Sequence, residues 1–183
     1  MNAIVMKAEL AAYWRFKRQM PLVAIEALNE DVLVVSRNSR LIICEVKIST
    51  ADMRVDRDKP KHATIRQLLG LPLLEGQRAL PWSYIEHDLF APSSFYFAVP
   101  HEMLEKARSI RLELYPYAGL ISVREGSISF RGQHVEVVEP AKELHARKLK
   151  VRSMLKIVKG QSASLANAYS RLARIHGPVK GKV

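Results

Sequence analysis

The stretch Leu41 to Thr50, LIICEVKIST, sets a glutamate and a lysine, Glu45 and Lys47, two residues apart in an otherwise apolar run. Successive side chains of a strand point to opposite faces, so these two share a face with Leu41 and Ile43. That face is apolar at its start and charged only at its end, the pattern of a buried strand whose end opens into a site. Asp31 stands just before the run Val32 to Val35. Two antiparallel strands joined by a short turn would bring Asp31 and Glu45 together. Two carboxylates at a sheet end, with a backbone carbonyl such as that of Val46, suit a hard divalent cation, which takes oxygen ligands and keeps several waters. Lys47 would aim at the same place, to stabilise negative charge on a phosphorus centre or to help deprotonate the attacking water. The chemistry expected of this trio is metal-assisted hydrolysis of a phosphodiester.

Glu9 bears on the same site. At 100° per residue along the first helix it falls on the apolar side, near Val5, Ala12, Tyr13 and Phe16, with Lys7 and Arg18 opposite. A carboxylate on a buried stripe needs a positive partner. That partner is either a metal ion, met directly or through water, or a cation such as Lys47 in a structural ion pair. Glu26 stands close enough to Asp31 in sequence to remain open as an additional ligand.

The elements that must position these residues are legible in the hydrophobic periodicity. Ile4 to Gln19 reads as a helix ended by Pro21. Strands follow at Leu22–Ala27, Val32–Val35 and Leu41–Ile48, with a hairpin turn at SRNSR. Ser49 or Thr50 with Asp52 starts a helix that runs to about Asp58, breaks at Pro60 and resumes through Leu69. Residues 70–92 carry scattered prolines without period and read as an irregular excursion. SFYFAV is a strand, HEMLEKARSI a helix, and GLISVR and SISFRG two further strands. The last third reads as two amphipathic helices, one carrying Leu144, Val151, Leu155 and Val158, the other Leu165, Ala168, Tyr169, Leu172 and Ile175, with GQS turning between them. The fold class expected is α/β, a mixed central sheet flanked by helices, followed by a basic helical hairpin. The expected division is a core over 1–140 and a basic extension over 141–183.

The chain has 183 residues, 48% hydrophobic and 26% charged, enough for one domain with a real core. Apolar runs such as LIIC and FYFAV are far too short to span a membrane, and the first twenty residues are charged throughout, so a cytosolic protein is expected. The single cysteine, Cys44, forms no internal disulfide and reads as a core residue. From Lys142 onward eleven lysines and arginines face one acid, Glu143, so this segment holds +10 of the formal +11. Such asymmetry points to a polyanion, and DNA is the expected partner, with RNA left open. Arg147, Lys148, Lys150, Arg152, Lys156 and Lys159 are the candidate contacts there. Arg54, Arg57, Lys59, Lys61 and His62 would either bind phosphates beside the site or pair with Asp52, Asp56 and Asp58 on a solvated face. Trp14, Trp82 and Tyr84 would stack on bases or belong to the core.

Glu9 on a first helix, then Asp31, then Glu45-Val46-Lys47 and a capped helix, resembles the PD-(D/E)XK nucleases of restriction-endonuclease-like fold. The run EVKISTADMRVDRDKPKH, a strand FYFAVP, a short helix and YAGLISV further resemble MmcB-like DNA-repair-associated proteins and related phage and mobile-element nucleases. The resemblance covers Glu9 to Val123, with extra residues at 70–92, and departs from the pattern in having Glu30 where the eponymous proline would stand. It implies that Asp31 and Glu45 hold Mg²⁺ or Mn²⁺, that Lys47 acts on the water or scissile phosphate and that Glu9 supports the metal; many proteins of this kind pair up to cut two strands, which leaves a homodimer open. A nuclease-fold protein that binds nucleic acid without turnover is the alternative expectation.

Overall fold

The computed structural model describes residues 1–81, 91–126 and 132–176, with side chains through residue 171. Helix α1 (Ala3–Ala12) starts on Asn2, whose side chain accepts from the Ile4 and Val5 N–H groups, and widens into a π-helical turn at Tyr13–Lys17. Strands β1 (Leu22–Ala27), β2 (Glu30–Val35) and β3 (Leu41–Val46) follow as an antiparallel meander. Leu28 and Asn29 both have positive φ, 57° and 65°, between the paired Ala27 and Glu30, which makes the β1–β2 connection a two-residue hairpin turn of the primed kind. Helix α2 (Thr50–Val55) is capped by Ser49, which accepts from the Asp52 N–H. A 3₁₀ turn at Asp56–Asp58 leads to α3 (Pro60–Leu68), with Pro60 in the first helical turn, where its missing N–H costs nothing.

Strand β4 (Ser94–Pro100) pairs in parallel with β3 across the α2–α3 crossover, and β5 (Gly119–Val123) in parallel with β4 across α4 (Leu104–Leu114). Strand β6 (Val135–Glu139) closes the far edge antiparallel to β5. The six-stranded order is therefore β1-β2-β3-β4-β5-β6, a mixed sheet with helices on both faces. Alternation divides its side chains between two cores. On one face Leu33, Leu41, Ile43, Phe95 and Phe97 pack with Met53, Ile65, Ala107, Ile110, Tyr115 and Tyr117. On the other, Val32, Val34, Cys44, Val46, Ala98 and Ile121 pack beneath Met6, Leu10, Tyr13 and Trp14 of the first helix. Trp14 is thus a core residue, whereas Trp82 and Tyr84 lie outside the described residues.

The expected C-terminal hairpin is replaced by one helix, α5 (Val151–His176). Residues 141–150 have no regular secondary structure, and the Leu144 N–H bonds Ser93 O and the Leu149 N–H bonds Ser39 O, so Leu144 is no part of a helix. GQS is a docking strip, not a turn. A Cβ at Gly160 would lie 3.4 Å from Ala27 Cβ, Gln161 Oε1 accepts from the Ile25 N–H at 2.5 Å, and Ser164 Oγ donates to Glu26 O at 2.7 Å. The helix thereby covers the open edge of β1, whose unpaired N–H and C=O groups would otherwise invite another strand. The expected apolar stripe of α5 does not form this contact: Val151, Leu155, Val158, Leu165 and Tyr169 face solvent, and Ile157 is buried instead. Strand β6 was not anticipated. The expected strand SISFRG falls largely on 127–131, outside the described residues.

Candidate active site

The end of β3 delivers Glu45 and Lys47 to the face covered by α2 and α3, as strand alternation requires. Both are almost wholly buried, 2% and 3% exposed. The Lys47 N–H continues the parallel ladder by bonding Ala98 O, which fixes its direction beside Glu45. Its Nζ donates to Asp56 Oδ1 at 2.6 Å and to Glu45 Oε2 at 3.3 Å, and stands 3.8 Å from the half-exposed Asp52. Two lysines of the crossover complete the cluster. Lys59 Nζ bridges Asp56 at 2.6 Å and Glu45 at 3.1 Å, and Lys61 Nζ bridges Glu45 at 2.6 Å and Glu30 at 2.5 Å.

Asp56 is the hinge of this network. Its second oxygen accepts from His62 Nε2 at 2.6 Å, and His62 Nδ1 meets Tyr117 Oη at 2.8 Å. The ring is sandwiched among Phe95, Phe97, Tyr115 and Tyr117. Burial lowers the His62 pKa against the opposing pull of Asp56, so a neutral ring donates from Nε2 and accepts from the Tyr117 hydroxyl. Burial alone would raise the Asp56 pKa; the His62 bond and the Lys47 ammonium outweigh it and hold the carboxyl well below the usual range.

Glu30 and Glu45 form a carboxyl pair. Burial, reinforced by a hydrogen bond to Glu45, pushes Glu30 up to about 8. Glu45 experiences the same burial, but the Glu30 hydrogen bond and Lys61 bring it down to about 2. The two carboxyls therefore titrate as one pair, which holds a proton more readily than two separate glutamates would.

Asp31 goes elsewhere. The β2–β3 ladder stops at the pair Val32 and Cys44, and the Val46 N–H is taken by Asp31 Oδ2 at 2.8 Å. The other oxygen, Oδ1, pairs with Lys7 Nζ of α1 at 2.7 Å, and Lys7 also holds Glu26 at 3.0 Å. Glu26 has a left-handed φ of 51°, so regular alternation fails in the strand pair just where Asp31 stands. The acid beside Glu45 is accordingly Glu30, its neighbour in sequence. Glu9 is buried on α1, the helix that covers the opposite face of the sheet from Glu45 and Lys47. Glu26 belongs to the Lys7 and Asp31 group.

Among the expected phosphate contacts, Arg54 pairs with Glu113, Arg57 with Asp58, and Lys59 and Lys61 with the cluster acids, while His62 is 1% exposed inside the core. Arg147, Lys148, Lys150, Arg152, Lys156 and Lys159 are exposed. Sequence reasoning missed Glu30 and Asp56 as site acids. The signal for Asp56 was present in its spacing: Lys59 three positions on and His62 six positions on both reach its carboxylate.

Glu30 and Glu45 offer carboxylate oxygens to one space, the donor chemistry a hard divalent cation takes, and Mg²⁺ commonly uses only one or two protein carboxylates with waters and substrate phosphate. Among the described residues no cluster of three or more His, Cys, Asp or Glu side chains is arranged to hold a metal ion. A cation held by this pair would take its remaining ligands from water and substrate and would displace Lys61, which bridges the two carboxylates.

No protein-family model and no curated protein matches the chain. A solved structure described as the SPO1766 protein of unknown function from Silicibacter pomeroyi aligns over 97% of this chain and 93% of its own, at 18% identity and a TM-score of 0.48. No helix among the described residues is long and apolar enough to cross a membrane.

Proposed function

We propose that the protein is a divalent-metal-dependent nuclease of the PD-(D/E)XK kind acting on DNA, with Glu45, Lys47 and Glu30 at its centre. The observation that carries this reading is the acid-x-lysine pair at the end of the central parallel strand, with a second carboxyl, Glu30, bridged to Glu45 by Lys61. In hydrolysis a water oxygen adds to phosphorus, the ester P–O bond breaks, and a proton passes from the water to the leaving alkoxide. Glu30 and Glu45 would hold a divalent cation, which would supply Lewis acidity at the phosphate. Lys47 presents a fixed positive charge toward the same space, and Asp56, clamped by His62 and Tyr117, keeps that ammonium in one position. Asp56 is in this reading a positioning residue. Asp31 and Glu26, held by Lys7, order the chain entering β2 and thus the backbone that carries Glu30.

A second reading, binding without turnover, draws on the same cluster. Lys47, Lys59 and Lys61 already engage Glu30, Glu45 and Asp56, and a nuclease fold kept for binding needs no more. A cleavage assay on linear and circular DNA separates the two. Strand scission that requires Mg²⁺ or Mn²⁺, and is lost in Glu45→Ala and Lys47→Ala variants that still bind DNA, supports hydrolysis. No products with any divalent ion, at protein concentrations that saturate the DNA, leaves the binding reading in its place.

A further inference from the structure

The lysines and arginines nearest the Glu45 cluster are engaged by carboxylates, so a nucleic-acid backbone must find its charge elsewhere. The geometry points to a phosphodiester-backbone binding surface around the π-helical turn that ends α1, on the face of the sheet opposite the Glu45 cluster. Two clefts flank this turn and share Lys17 and Arg18. One, of about 510 Å³, lies against the β2–β3 turn and adds Arg37; the other, of about 540 Å³, lies against the start of β6 and adds Arg124 and His134. The acid on their walls is Glu136, 3.3 Å from Arg124. Lys17, Arg18 and Arg37 have no carboxylate partner among the described residues, in contrast to Lys7, Lys47, Lys59, Lys61 and Arg54. Lys17 instead lies 5.4 Å over the Tyr13 ring and Arg37 donates to Gln19 Oε1 at 2.7 Å, contacts that orient the two cations without neutralising them.

The surface is built rather than incidental. The wide turn is closed by the Arg18 N–H bonding Tyr13 O and the Met20 N–H bonding Trp14 O, and Arg15 ties it down by donating to the Met20 and Pro21 carbonyls. Gln19 takes a left-handed φ of 53° to complete it. Gly132, also left-handed, presses so closely that a Cβ there would come within 2.5 Å of Tyr13 N, which welds the entry to β6 onto the turn. π-Helical turns of this type recur at functional sites. The result is two adjoining positive clefts on a rigid rim, the arrangement that tracks a chain of regularly spaced phosphates rather than one isolated anion.

This surface deepens the proposed function by naming where substrate backbone is held, yet its test does not depend on hydrolysis. Fluorescence anisotropy in EDTA, with a short labelled DNA duplex and the matching single strand, reads binding alone. The Arg18→Glu/Arg37→Glu variant is expected to weaken binding at least about tenfold and to lower the slope of log K on log salt by about 2, with Arg18→Ala/Arg37→Ala intermediate. Both arginines are exposed and lack acid partners among the described residues, so unchanged thermal melting is expected alongside. Unchanged affinity and slope, or a loss seen only with Lys156→Glu/Lys159→Glu on α5, would overturn the assignment. So would inorganic tripolyphosphate binding at the clefts while neither DNA binds. Loss of cleavage with these effects intact would fault the catalytic reading and leave this one standing.

Discussion

Replacing Asp56 by Asn probes the cluster most sharply, because it removes one charge and almost no volume. Asp56 and the Lys47 side chain are 1% and 4% exposed, so neither is rescued by water. The carboxylate accepts from Lys47, Lys59 and His62 at 2.6 Å each. Removing one partner of a buried ion pair costs about 3–5 kcal/mol, and Lys47 keeps Glu45 as a weaker partner, which places the expected loss near ~3 kcal/mol. With a urea slope of about 2 kcal/mol/M that is a midpoint shift of ~1.5 M. Asp52→Asn, at a half-exposed position 3.8 Å from the same Nζ, should cost less than ~1 kcal/mol. The depressed Asp56 pKa adds a pH signature. Its contribution is present above the ordinary carboxylate value of 3.8 and lost as pH falls below it, so variant and parent should differ by a constant amount from pH 5 to 7 and converge only in strong acid. An Asp56→Asn protein within ~1 kcal/mol of the parent at neutral pH would refute the claim that this residue organises the site.

Other consequences are equally direct. Glu30, raised from 4.5 to about 8, favours the folded state most below pH 4.5, and that contribution declines as pH rises through 8, so Glu30→Gln should flatten the fall in melting temperature across this window; parallel profiles for parent and variant would count against the paired titration. Gly160→Ala should be tolerated or raise stability by about 0.5–1 kcal/mol, because the new Cβ meets Ala27 at 3.4 Å while helix propensity improves. Gly160→Leu should overpack the same contact and cost about 1–3 kcal/mol by urea denaturation, and equal stability of the two variants would show that α5 does not dock on β1 there.

Much of this architecture is written in local patterns. The first helix, the three-strand meander, the capped helix after β3 and the alternation that buries Glu45 and Lys47 on one face all follow from periodicity and turn chemistry. What escaped is where tertiary context overrides a local rule. Gly160 reads as a break, yet its missing side chain lets a continuous helix approach an edge strand. Strand β6 is short, and its two glutamates, Glu136 and Glu139, stand three apart across a register shift, so no period of two marks it in the sequence. Asp31 was expected beside Glu45 on regular alternation, and the left-handed backbone at Glu26 with the Lys7 pair breaks that regularity, so Glu30 takes the position. Arg54, Arg57, Lys59 and Lys61 looked like phosphate ligands because sequence shows charges without their partners.

The central claim is that Glu30 and Glu45 form the seat of a catalytic divalent ion beside Lys47. Anomalous diffraction from crystals soaked in Mn²⁺ tests it without reference to any assay of activity. The account predicts one peak contacting both carboxylates, with Lys61 displaced, and its disappearance in Glu45→Ala. A peak at Asp31 and Glu26, or none at saturating Mn²⁺ while Lys61 still bridges the pair, would contradict it.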